Sequence, residues 1–180
     1  MPTISSRQDY NGFLAKAERL GLIDYIKEAE STLTCFDLLV EETKHANGTR
    51  GLRQQIDANF AAMSDWTKIS SGGIDWTKST HQGLSIGVEV QVSGRSDMLA
   101  VDILHLSQSL QNGKIDVGLI IVPDDRLSKF LTDRTPNLAT AIKHVEQWGS
   151  QLPIRVIAFM HNGVGPRLPK AITNFGKSSN

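Results

Sequence analysis

Leu84-Ser85-Ile86-Gly87-Val88-Glu89-Val90-Gln91-Val92 is the stretch on which the reading of this chain turns. Its Ile, Val and Leu content, with turn-forming residues at both ends, is that of a β-strand. An acid and an amide interrupt it. Side chains alternate across a strand, so Glu89 and Gln91 share one face while Val88, Val90 and Val92 share the other. A buried polar group without a partner costs on the order of 1–3 kcal/mol, and an unpaired charge costs more. Two such groups on one face of a core strand require a reason.

Immediately upstream, Gly73-Ile74-Asp75-Trp76 is a short extended segment, and the polar residues 77–83 form a loop. The two strands make a hairpin that brings Asp75 beside Glu89. Downstream, Ser93-Gly94-Arg95-Ser96 is a break, with Ser96 placed to cap a helix over 97–110. That helix carries Met98, Leu99, Ile103, Leu106 and Leu110 on one side. The run 115–123 is almost wholly apolar, the pattern of a strand covered on both faces. A short helix over 126–132, a longer one over 137–148 capped by Asn137, and a strong strand over 153–160 complete this part. Before the hairpin, residue 9 to about 44 reads as helical, with Gly21 breaking the apolar stripe. Asn47-Gly48-Thr49 is a turn, and 52–66 is another helix carrying Leu52, Ile56, Phe60 and Met63. The expected architecture is α/β in the α+β sense: a central mixed sheet flanked by helices, preceded by a helical N-terminal part. At 180 residues the chain is expected to be one domain. Its parts are a helical region over 1–70, a core over 73–160 and a basic tail over 161–180.

Composition narrows the function classes. The longest apolar run, Val117 to Pro123, is strand-sized, and the first residues lack the apolar core of a signal peptide. Cys35 is the single cysteine, so neither an internal disulfide nor a zinc cluster of cysteines is available. The expectation is a cytoplasmic protein with no membrane contact and no organic cofactor. Formal net charge is zero, which argues against a nonspecific nucleic-acid coat. Its distribution is uneven: Glu18, Asp24, Glu28, Glu30, Asp37, Glu41 and Glu42 lie in the first helical region, whereas no acid follows Ser150. Arg155, Arg167, Lys170 and Lys177 in that last part suggest a polyanion-binding edge, the two lysines reading equally as a solvated tail.

Other motifs fail. Phe175-Gly176-Lys177-Ser178 has the GKS triplet of a phosphate-binding loop, but Ala171 stands where its first glycine belongs. Gly163-Val164-Gly165 lacks the third glycine of a dinucleotide fingerprint. His45, His81, His105, His144 and His161 show no metal-ligand spacing. What remains is Asp75 with Glu89-Val90-Gln91. Two carboxylates converging at a sheet end, with the Val90 carbonyl between the two polar side chains, offer the hard oxygen ligands that Mg²⁺ takes. On spacing alone the pattern is weak, and a hydrogen-bonded pair on a solvated sheet face is the simpler reading.

The surroundings of these residues add a resemblance. Ile74-Asp75-Trp76 followed by Val88-Glu89-Val90-Gln91-Val92-Ser93 resembles the active-site hairpin of BglII-type restriction endonucleases, a branch of the PD-(D/E)xK nuclease superfamily. In that branch Gln stands where most of the superfamily has Lys. The similarity continues through the following helix, Lys114-Ile115-Asp116-Val117-Gly118 and Leu152-Pro153-Ile154-Arg155-Val156. It implies a type II restriction endonuclease of a restriction–modification system. Such an enzyme is a homodimer that cuts double-stranded DNA at a palindromic site with Mg²⁺, for which Mn²⁺ can substitute, and leaves a 5′-phosphate. Asp75 and Glu89 would hold the metal with the Val90 carbonyl, and Gln91 would orient the attacking water. Related enzymes place a further polar or acidic residue on the helix before the hairpin, where Asn59 is the candidate. Relatives read bases just after the catalytic strand, which points to Ser93, Gly94 and Arg95. His161, Asn162 and Arg167 follow the last strand and are candidates for groove or phosphate contacts. Two other readings remain open: a structure-selective repair or junction nuclease on the same core, and a non-catalytic dimeric DNA-binding protein.

Overall fold

A computed structural model of the chain describes residues 1–69, 73–93 and 97–170. The chain opens with β1 (Thr3–Asp9), then α1 (Phe13–Arg19) and α2 (Ile23–Thr34), separated by Gly21 at φ +68°. After β2 (Leu39–Val40) come α3 (Arg50–Ala61), β3 (Thr67–Lys68), β4 (Trp76–Ser79) and β5 (Ser85–Val90). The second half runs α4 (Met98–Gln111), β6 (Val117–Pro123), α5 (Leu127–Phe130), α6 (Leu138–Trp148), β7 (Ile154–Met160) and β8 (Gly163–Val164). Six strands form one mixed sheet in the order β1-β7-β6-β5-β4-β3. β5, β6 and β7 are mutually parallel, and β1, β4 and β3 are antiparallel to their neighbours. This is the expected central mixed sheet flanked by helices.

The alternation of side chains sorts the core into two layers. Val117, Leu119 and Ile121 of β6 join Ile86, Val88 and Val90 of β5 against α1, α2 and α3. Ile120 and Val122 face Leu99, Ile103 and Leu106 of α4 and Ala141 and Val145 of α6. Gly118 lies under α4, where a Cβ would come within 2.8 Å of Leu106 Cδ2. The missing side chain lets that helix settle close to the sheet. Glu89 and Gln91 occupy the α4 face of the β5 line, opposite its valines.

The N-terminal part departs from the all-helical expectation. Residues 3–9 form an edge strand antiparallel to β7. Its alternation is short and mostly exposed, so the sequence carries little periodic signal there. Arg155 of β7 explains much of the pairing: its Nε and Nη2 donate to Asp9 Oδ1 and Oδ2 at 2.6 and 2.8 Å. The expected 77–83 loop is shorter than its polarity suggests. Thr77, Lys78 and Ser79 belong to β4, and buried Lys78 donates to Glu28 Oε2 at 2.7 Å. Asn47-Gly48-Thr49 is more than a surface turn. Asn47 is fully buried, donates to the carbonyls of Glu41 and Phe130, and accepts from the backbone N–H of Glu41 and of Leu168. The helix expected over 52–66 ends at Ala61, and Trp66 turns into the core. Ser96, expected as a cap, lies outside the described residues.

α6 begins as its sequence predicts. Asn137 Oδ1 accepts from Thr140 N at 2.9 Å. Replacing Asn137 by Ala should cost about 1 kcal/mol, read as a lower thermal midpoint with an unchanged fold by circular dichroism.

Candidate active site

The β4–β5 ladder ends with Trp76 paired to Val88, and Asp75, just before β4, lies beside Glu89, whose carboxyl its charge raises. There the ladder gives way to side chains. Asp75 Oδ2 accepts from the Val90 N–H at 2.8 Å, so the carboxylate replaces a strand partner. Asp75 Oδ1 accepts from Arg53 Nη2 at 2.7 Å, and Arg53 Nη1 donates to the Val90 carbonyl at 2.5 Å. Arg53 comes from the first turn of α3, and its Nε reaches Asp57 Oδ2 at 3.1 Å. Asp57 also accepts from Lys68 Nζ at 2.8 Å and from Trp76 Nε1 at 3.0 Å. Burial alone would push the Asp57 carboxyl up, but the Lys68 and Trp76 hydrogen bonds and the Arg53 charge hold it below its ordinary range.

Glu89 is 2% exposed, so the reading of a solvated sheet face fails for this residue. Its Oε1 is buried with no hydrogen-bond partner. Burial pushes its carboxyl up to about 10, and the neighbouring Asp75 and Asp102 carboxylates add to the rise. Gln91 is 9% exposed and donates through Nε2 to Asp102 Oδ2 on α4. Burial and the Asp75 charge raise the Asp102 carboxyl, against His105, the Gln91 hydrogen bond and Arg53. The cluster therefore gathers three carboxyl groups around one guanidinium.

The expected residues divide clearly. Asp75, Glu89, Gln91 and the Val90 carbonyl meet at one strand end. Asn59 does not join them: its Nδ2 donates to the Thr32 carbonyl at 2.8 Å and its Oδ1 accepts from Gln55 at 3.0 Å, so it ties α3 to α2. The α3 residues that reach the cluster are Arg53 and Asp57. Their four-residue spacing was visible, but it is also the common spacing of surface ion pairs. Asp102 was hidden among the apolar residues of α4. Ser93 is half-buried just past β5, while Gly94 and Arg95 lie outside the described residues.

The expected basic edge is largely neutralised within the chain. Arg155 is spent on Asp9. Arg167 Nε and Nη2 donate to the two oxygens of Glu41 at 2.9 and 3.1 Å. Buried His161 meets Glu42 Oε1 through Nε2 at 2.8 Å, and this hydrogen bond holds Glu42 below its ordinary range. Asn162 accepts from Leu38 N at 2.7 Å and donates to Asp37 at 3.1 Å. These last three residues clasp the acidic segment over 37–42.

Asp75, Glu89 and the Val90 carbonyl are hard oxygen donors, and an orphaned buried carboxylate oxygen among like charges suits a divalent cation. No group of three His, Cys, Asp or Glu side chains able to hold a metal occurs among the described residues, so the backbone carbonyl would have to be part of the set.

The restriction endonuclease BglII/BglIII family model matches residues 22–159. Among solved structures, the chain is similar to restriction endonuclease BglII complexed with a DNA 16-mer, with a TM-score of 0.62 and 19% identity, covering 87% of this chain and 78% of that one. It is also similar to free BglII, with a TM-score of 0.55 and 17% identity over 87% and 79% of the two chains. No curated protein sequence matches significantly. No helix among the described residues is long and apolar enough to cross a membrane.

The raised Glu89 carboxyl has a sign for stability. Its protonated form favours the fold fully below the ordinary carboxylate range, and that contribution is lost as pH rises toward about 10. In cation-free buffer, the thermal midpoint of the parent protein should fall relative to that of Glu89→Gln between about pH 5 and pH 9.

Proposed function

The chain belongs to the BglII/BglIII family of restriction endonucleases and is a sequence-specific endonuclease acting on DNA; we propose that Asp75, Glu89 and Gln91 form its catalytic centre. The observation that carries this is Glu89, buried opposite Asp75 at the end of β5 with an oxygen left unpartnered. Asp75, Glu89 and the Val90 carbonyl would hold a divalent cation, Mg²⁺ with Mn²⁺ as a substitute. When bound, such an ion neutralises charge on a phosphoryl oxygen and makes water more acidic. Gln91 takes the position of a lysine but can neither carry charge nor remove a proton. Its amide orients the attacking water by hydrogen bonding, and Asp102 fixes the amide from the other side as a positioning residue. The proton leaves through solvent or a substrate phosphate. The new bond joins the water oxygen to phosphorus, the bond to the 3′-oxygen breaks, that oxygen takes a proton from solvent, and a 5′-phosphate and a 3′-hydroxyl remain.

Ser93, Gly94 and Arg95, directly after the catalytic strand, are the proposed base-reading segment, since a guanidinium can pair with a guanine edge. His161, Asn162 and Arg167 would contact DNA only by exchanging their partners over 37–42. The substrate is double-stranded DNA with a palindromic site, cut by a homodimer in the cytoplasm as half of a restriction–modification system.

Incubation with plasmid DNA and Mg²⁺ should give discrete bands; no cleavage with Mg²⁺ or Mn²⁺ would sink the catalytic assignment. Glu89→Ala should lower cleavage by more than about 10³-fold with little change in fold. Gln91→Glu should still bind Ca²⁺ by calorimetry while cutting at an altered rate. Loss of all cation affinity in that variant would contradict an orienting role.

A further inference from the structure

Two of the three groups assigned to the divalent cation already touch a cation. Arg53 Nη1 lies 2.5 Å from the Val90 carbonyl, and Nη2 lies 2.7 Å from Asp75 Oδ1. One planar guanidinium thus spans both oxygens through its two terminal nitrogens, a geometry that a lysine ammonium would not reproduce. The third nitrogen, Nε, is fixed by Asp57 Oδ2, which Lys68 and Trp76 hold in turn. The Arg53 side chain is 19% exposed, so solvent screens this charge only in part. Glu89 Oε1 stays without a partner, so the guanidinium neutralises one side of the cluster and leaves the other unmet. A divalent ion and a guanidinium competing for the same two oxygens would repel each other at close range.

We propose that Arg53 is a resident counter-ion that the divalent cation displaces. While the cation is absent, Arg53 holds Asp75 and the Val90 carbonyl in place as ligands; when the cation arrives, the guanidinium leaves those oxygens. Cation affinity is then set by an exchange between two positive groups, and α3 becomes coupled to the state of the site. The inference rests on reading Asp75, Glu89 and Val90 as the cation's ligands.

Ca²⁺ titration calorimetry on the full chain, compared with Arg53→Ala and Glu89→Ala, tests both levels. Removing the competing charge should tighten Ca²⁺ binding about tenfold or more, the size of an ordinary coupling between sites. Ca²⁺ binding by Arg53→Ala where the parent shows none would support the exchange as well. Equal or weaker binding by a folded Arg53→Ala, with the parent binding Ca²⁺, would overturn the exchange and leave the ligand assignment standing. Absence of binding in both proteins, or binding indifferent to Glu89→Ala, would remove the ligand assignment and the exchange with it. Nitrogen-15 NMR of the arginine side chains in the parent protein decides the matter without a variant. The Arg53 guanidinium should show restricted rotation without Ca²⁺ and lose that restriction at saturation, whereas unchanged signals at saturation would overturn the proposal.

Discussion

A carboxyl group buried beside two others is the constraint around which this molecule is arranged. Glu89 could not occupy a central strand at 2% exposure unless something nearby answered its charge or kept it protonated. The fold brings that answer from several directions. Asp75 stands just before β4, α3 reaches over with Arg53, and α4 supplies Asp102 as an anchor for Gln91. The cluster sits where β5 ends, between a parallel neighbour on one side and an antiparallel neighbour on the other. Ends of parallel strands are the usual place for ligands in open sheets, because backbone groups and loops converge there without ladder partners.

Much of this was legible because strand periodicity is strict. The period of two puts Glu89 and Gln91 on one face, and the hairpin brings Asp75 close enough to Glu89 for its charge to raise the Glu89 carboxyl. Helices α4 and α6 and strands β6 and β7 follow from apolar patterns long enough to be unambiguous. β1 leaves little trace in the sequence because a mostly exposed edge strand has no apolar face to announce it, and its pairing depends on Asp9 meeting Arg155, far away in sequence. Asn59, the α3 candidate, is engaged with Gln55 and the Thr32 carbonyl instead of the cluster. Sequence distance alone does not say which face of α3 turns toward the hairpin, and Arg53 and Asp57 occupy that face. The spacing alone gives a polar strand face; the family match over residues 22–159 is what supports reading that face as catalytic.

The acid-free stretch after Ser150 looked like a surface for a polyanion, yet its arginines meet acids from the N-terminal part. The separation of signs along the chain is therefore an assembly device. Acids over 37–42 draw in the basic residues over 161–167, and Asn47 bonds the Leu168 backbone beside them.

The sheet's two edges differ in kind, and both discourage further strands. β3, at one edge, is only two residues long. β1, at the other, has a register shift between Ile4 and Ser6 and carries Arg7 and Asp9 near its end, with Arg7 paired to Glu30. Short, irregular and charged borders are what protect natural sheets from edge-to-edge growth. Each sheet is accordingly complete in itself, and the end of β5 is left to the side chains that gather there.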